Sequence, residues 1–122
     1  ATAAESTSHG DLRVGKYNGS HIGCSSTTDG YVCGGGDGPT IAEIQRFSFS
    51  SNTTAVDHGD LTYSISACSG GSSTTQGFIA GGRSSYQTFN HIQKFDYASG
   101  GSSSDHSDLI TPNWRGGNGF HQ

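Results

Sequence analysis

The chain has 122 residues, of which 20 are Gly, 20 Ser and 12 Thr, and a formal net charge of −4. With 30% hydrophobic residues, 13% charged residues and no Met, it excludes a helical bundle, which needs helix formers at helical spacing, and a highly charged disordered tail. No run nears the roughly 18 apolar residues of a membrane helix, the opening ATAAESTSHG has neither the basic nor the apolar region of a signal peptide, and six Lys+Arg leave no electrostatic footprint for nucleic acid.

In chain order, residues 1–12 end in His9-Gly10-Asp11-Leu12. A strand is predicted over 20–25 (SHIGCS), then a hairpin turn at Thr27-Thr28-Asp29-Gly30, because Asp and Gly tolerate positive φ. A second strand covers 30–35 (GYVCGG). Pro39 sits in the Gly-Asp-Gly-Pro loop that follows, where no ladder donor is lost. The third strand, 42–50, alternates Phe47 and Phe49 on one face with Ile44 and Arg46 on the other; a fourth covers 53–58. The order then returns with strands at 64–69, 77–82, 91–98 and 102–106. Here Phe95 and Tyr97 oppose Ile92 and Lys94.

The return is a repeat. SHGDL at 8–12, DHGDL at 57–61 and DHSDL at 105–109 are spaced by 49 and 48 residues. SSTTDGYVCGGG at 25–36 matches SSTTQGFIAGGR at 72–83, and IQRFSFSS at 44–51 matches IQKFDYAS at 92–99. Apolar residues on both faces mean that each sheet is covered on both sides. A four-stranded antiparallel sheet so covered, at this period, reads as a propeller blade, so the expected fold is all-β. The expected organisation is the end of a partial blade over 1–12, blades over 13–61 and 62–109, and the start of a partial blade over 110–122. Gly34, Gly35, Gly81 and Gly82 fit close backbone approach near a propeller axis. About two and a half blades do not close a ring of 4–8. The expected partners are therefore copies of the chain itself or further repeats of the same polypeptide.

The double glycine after an aliphatic strand, at a period near 50, resembles the kelch repeat across almost the whole chain. No Trp precedes the H-x-D-L block, as a typical kelch unit would have; Trp114 lies in the last partial unit. Residues Ile44–Ser51, Val56–Thr62, Ser25–Gly35 and Ser72–Gly82 are similar to a divergent kelch-like group found in tail-fibre and other virion proteins of aquatic bacteriophages. That resemblance implies a virion or extracellular location and a non-catalytic structural or adhesion role in a fibre, with surface glycans as a contact. The alternative is a small carbohydrate-binding lectin that oligomerises into a complete propeller.

Site residues are few. Tyr31, Tyr86 and Phe89, beside the Ser/Thr-rich turns, are candidates for stacking on sugars. Asp11, Asp60 and Asp108 of the H-x-D motif read as turn residues accepting backbone N–H groups, with metal ligation as the rival. Cys24 and Cys33 flank the first turn. They fit either a cross-strand disulfide or buried free thiols, and Cys68 has no evident partner. Asn18 and Asn52 match the N-glycosylation acceptor. There is no G-x-S-x-G elbow, no P-loop and no paired carboxylates, so neither an enzyme nor a cofactor is expected.

Overall fold

The computed structural model describes residues 5–13, 22–35, 40–84, 87–112 and the backbone of 120–121. Among them every regular element is a strand: β1 (Ile22–Ser25), β2 (Asp29–Cys33), β3 (Glu43–Ser48), β4 (Val56–Asp60), β5 (Ser69–Ser72), β6 (Gln76–Ala80), β7 (His91–Asp96), β8 (Ser104–Asp108) and β9 (Phe120–His121). The protein is all-β. β1 to β4 form one antiparallel sheet in sequence order, and β5 to β8 form a second. The short β9 lies parallel to β5.

The turns hold the register. In the first hairpin Ser26 N–H donates to Asp29 O at 2.9 Å, and Ser26 Oγ accepts from the N–H groups of Thr28 (3.2 Å) and Asp29 (3.0 Å). Ser73 repeats this with Gln76 O, Thr75 N–H and Gln76 N–H. A serine hydroxyl closing its own turn replaces the positive φ expected at Asp29, which begins β2 instead. Gly30 serves a different purpose. It pairs with Phe47, whose ring lies where a Cβ would stand, and Gly77 receives Phe95 in the same way.

Three expected boundaries are corrected. The first strand of the second sheet is Ser69–Ser72, not 64–69, because the strand runs directly into the Ser73 turn. β2 and β6 stop at Cys33 and Ala80. Gly34, Gly35, Gly81 and Gly82 lie outside the strands with φ of 63°, 80°, 69° and 100°, which breaks an extended chain. The H-x-D motifs at 58–60 and 106–108 lie inside β4 and β8 rather than in turns. Each ladder there shifts by one residue at the histidine, which is a bulge. Pro39 falls outside the described residues.

The two sheets pack face to face. Cys24, on β1, lies against β6, and its Sγ donates to Phe78 O at 3.7 Å. Tyr31, on β2, stacks on Tyr97 (centroids 4.7 Å) and meets Phe95 edge-on (5.4 Å). Ile44, Ile65 and Ile79 are fully buried in the same cluster. Phe95 and Tyr97 are buried because sheet 1 covers them. Their counterparts Phe47 and Phe49 lie on the opposite side of the molecule, and Phe49 is 47% exposed.

Burial pushes the Tyr31 and Tyr97 phenols up from their ordinary value, with the Asp29 charge adding to the effect at Tyr31. A phenol harder to ionise when folded stabilises the fold fully below pH ~10, and that contribution is lost as pH rises through the folded values. The fold should therefore melt in the alkaline range above pH ~10. Tyrosinate absorbance of these two residues should appear together with loss of strand circular dichroism. Replacing both with Phe should move the midpoint to higher pH.

Candidate functional site

The most repeated chemistry in the molecule is the seam between successive units. The H-x-D-L segment of one unit docks on the third strand of the next and on the residue that leads into its fourth, and this happens twice. His9 Nε2 lies 2.8 Å from Ser48 O, and His58 Nε2 lies 2.8 Å from Asp96 O. Asp11 O accepts from Ala55 N–H at 2.8 Å, and Asp60 O accepts from Ser103 N–H at 2.7 Å. Arg13 N–H donates to Gln45 Oε1 and Thr62 N–H to Gln93 Oε1, both at 2.7 Å. Gln45 and Gln93 are buried, so these bonds satisfy amide oxygens that water cannot reach.

The glycine of the motif makes the approach possible. Gly10 and Gly59 have φ of 155° and 152°. A Cβ on Gly10 would overlap Thr53 O, and one on Gly59 would overlap Gly101 O. The third copy carries Ser107 in this place, and all of β8 is exposed. A unit docking on it must seat differently from the first two.

The first seam also carries charge. Arg13 pairs with Glu43 and lies 4.0 Å from Asp57 Oδ2. The hydrogen bond and charge of Glu43, then Asp57 and Asp60, hold its pKa above the usual guanidinium value. A cavity of about 160 Å³ opens beside this seam between His9, Leu12, Phe47 and Ala55.

A second feature joins the two sheets at their turns. Ser26–Asp29 and Thr74–Thr75 border an open groove of about 340 Å³ with Arg46 and the Tyr31 and Tyr97 edges. Its walls are hydroxyls, one guanidinium and one carboxylate.

Of the described candidates for stacking on sugars, Tyr31 borders this groove and Phe89 does not. The Tyr31 ring is 2% exposed and belongs to the core cluster with Tyr97, Phe95 and His58, so only its edge reaches the groove. Phe89 stacks on Tyr63 at 5.0 Å, and both are partly buried against the edge of the same core. Tyr86 and Asn18 lie outside the described residues. Asn52 is exposed between β3 and β4. Asp60 acts as a backbone acceptor at the seam, though through its carbonyl rather than its carboxylate.

Cys24, Cys33 and Cys68 are buried and none of them forms a disulfide. Of the two readings of Cys24 and Cys33, the buried thiols hold and the bridge does not, because Cys24 opposes Tyr31 and Cys33 opposes Ile22, which sets the two thiols diagonally. The hydrogen bond from Cys33 instead lowers the Cys24 thiol pKa, against the opposing effect of burial.

Gln45, Gln93 and Arg13 carry the seam, and sequence reasoning did not single them out. The signal was present for the glutamines, which occupy the same place in the two I-Q-(R/K) blocks. No protein-family model matches the chain, and no curated protein matches it.

Gly59→Ala should unseat the second seam and lower unfolding free energy by at least the ~1–3 kcal/mol of a strained backbone site. Ser107→Gly, on the exposed copy, should leave the denaturation midpoint unchanged at concentrations too dilute for self-association. Gln93→Leu, which removes the acceptor of Thr62 N–H and Ser103 Oγ, should cost about 1–3 kcal/mol by urea titration.

Proposed function

We propose that the chain is a non-catalytic structural and adhesion module in which blade-like units stack by a repeated seam, as part of a virion or other extracellular fibre. One observation carries the reading: the two outer faces are the two halves of the interface already made between the sheets. On one side stand Phe47 and Phe49, equivalent to the covered pair Phe95 and Tyr97. On the other stands Phe78, in the place of Tyr31. Phe78 meets the His106 ring at 5.5 Å as Tyr31 meets His58 at 5.0 Å. The partner that fits is another unit of the same kind, on a second copy or on the same polypeptide. The virion setting is supported by the resemblance of the repeat to phage fibre units. The kelch-like propeller architecture rests on that repeat and on the sheet-on-sheet stacking.

The hydroxyl-lined groove between the turns favours a second reading, a lectin completed by assembly. Hydroxyls, a guanidinium and a carboxylate suit the polyol surface of a sugar. Loss of glycan-array binding on Arg46→Ala would support it.

Light scattering of the native particle beside the mass of the denatured chain tests the main reading. The expected result is a native mass that is a multiple of 12.6 kDa, or a denatured polypeptide larger than this. Phe49→Ser should weaken self-association and Ser107→Gly should strengthen it. A mass of 12.6 kDa in both states at all concentrations would overturn it.

A further inference from the structure

We propose that His91, Asp105 and Asp108 bind a divalent first-row transition metal ion, with Zn²⁺ as its probe. His91 opens β7 and faces Asp108 across the ladder, while Asp105 faces Gln93. One ligand atom from each of the three lies within 4.8 Å of the others. The imidazole plane is fixed, because His91 stacks on Tyr63 at 4.8 Å and 15° and has Phe89 at 5.8 Å. Its Nδ1 is sealed from solvent and makes no hydrogen bond. The side chain as a whole is 26% exposed, and an unprotonated imidazole nitrogen is a metal ligand. Its nearest charged neighbour is Asp108 Oδ1, at 3.2 Å.

The first sheet shows what this position takes. There Glu43 faces Asp60, Gln45 faces Asp57, and the Arg13 guanidinium lies against Glu43 and near Asp57. The fold therefore gathers acidic groups at this corner and places a cation among them. In the second sheet the residue in Arg13's place is Thr62; both donate their main-chain N–H to the buried glutamine. Among the described residues, neither Asp105 nor Asp108 is paired with Lys or Arg. The second corner thus keeps two carboxylates, exchanges Glu43 for an imidazole and loses the built-in cation.

The donor set selects the class of ion. One imidazole nitrogen and two carboxylates suit Zn²⁺ and its neighbours, whereas Mg²⁺ and Ca²⁺ prefer oxygen alone. With metal–ligand bonds of about 2.0–2.1 Å, two tetrahedral ligands stand roughly 3.3–3.4 Å apart. The 3.2 Å between Nδ1 and Oδ1 is close to that edge. Asp105 is exposed and closes by side-chain rotation, and water completes the shell.

The experiment is isothermal titration of the EDTA-stripped full chain with Zn²⁺, Mg²⁺ and Ca²⁺, with the His91 ring resonances followed by NMR. The expected result is saturable 1:1 Zn²⁺ binding, a His91 shift that saturates with it, and no response to Mg²⁺ or Ca²⁺. Asp105→Asn with Asp108→Asn should weaken binding by about tenfold or more. Thr62→Arg should abolish it while raising the melting temperature, because the guanidinium takes the ion's place. His106→Ala, on the exposed strand but outside the donor set, should change nothing. Absence of saturable Zn²⁺ binding would overturn the proposal. So would binding that persists unchanged in folded Thr62→Arg and the Asp double variant, since it would place the ion elsewhere.

Discussion

The buried amide oxygen of Gln93 accepts the main-chain N–H of Thr62 and the hydroxyl of Ser103, and the rest of the second seam depends on that bond. The side chain is 1% exposed, so its oxygen has no water to fall back on. It gains its main-chain donor only when the H-x-D-L segment of the preceding unit lies along the sheet. Gln45 imposes the same condition on residues 9–13. Each sheet therefore completes its polar interior with backbone borrowed from its predecessor, and no sheet is self-sufficient.

That dependence explains the spending of glycine. Ser, Thr and Gly supply little apolar area, so the core is a thin seam of Tyr31, Ile44, Ile65, Ile79, Phe95 and Tyr97 between two faces. Close backbone approach supplies the remainder. Gly59 lets β4 touch the loop at Gly101, and Gly77 lets the Phe95 ring lie over the ladder. The hydroxyls of Ser26 and Ser73 close turns that would otherwise leave strand-end N–H groups open.

Small departures from the repeat alter chemistry at equivalent places. Arg13 against Thr62 and Glu43 against His91 turn an ion pair into a cluster without Lys or Arg among the described residues. Ser107 stands where Gly59 allows close backbone approach at the second seam. The backbone stays the same because the ladder pairings are identical, Glu43 with Asp60 and His91 with Asp108. The side chains at the corner are free to diverge, as they sit at strand ends where packing constrains them least.

The sequence by itself determined the all-β class, the order of four strands in each sheet and the place of the turns. Alternating aromatics, the two SSTT blocks and the IQ(R/K) blocks are local signals, and strand pairing between neighbours in sequence follows from them. It did not determine which aromatic faces are covered. Phe49 and Tyr97 hold matched positions, yet one is half-exposed and the other buried, because only the second faces another sheet. Nor did it show that Tyr31 is core rather than platform, that Cys24 and Cys33 stand diagonally, or that His91 meets Asp105 and Asp108. The first and last of these depend on sheet-on-sheet stacking and on the one-residue bulge at His58 and His106, while the placing of the cysteines follows from the register of the first hairpin. The stacking and the bulge are long-range choices of register that leave no local trace in the chain.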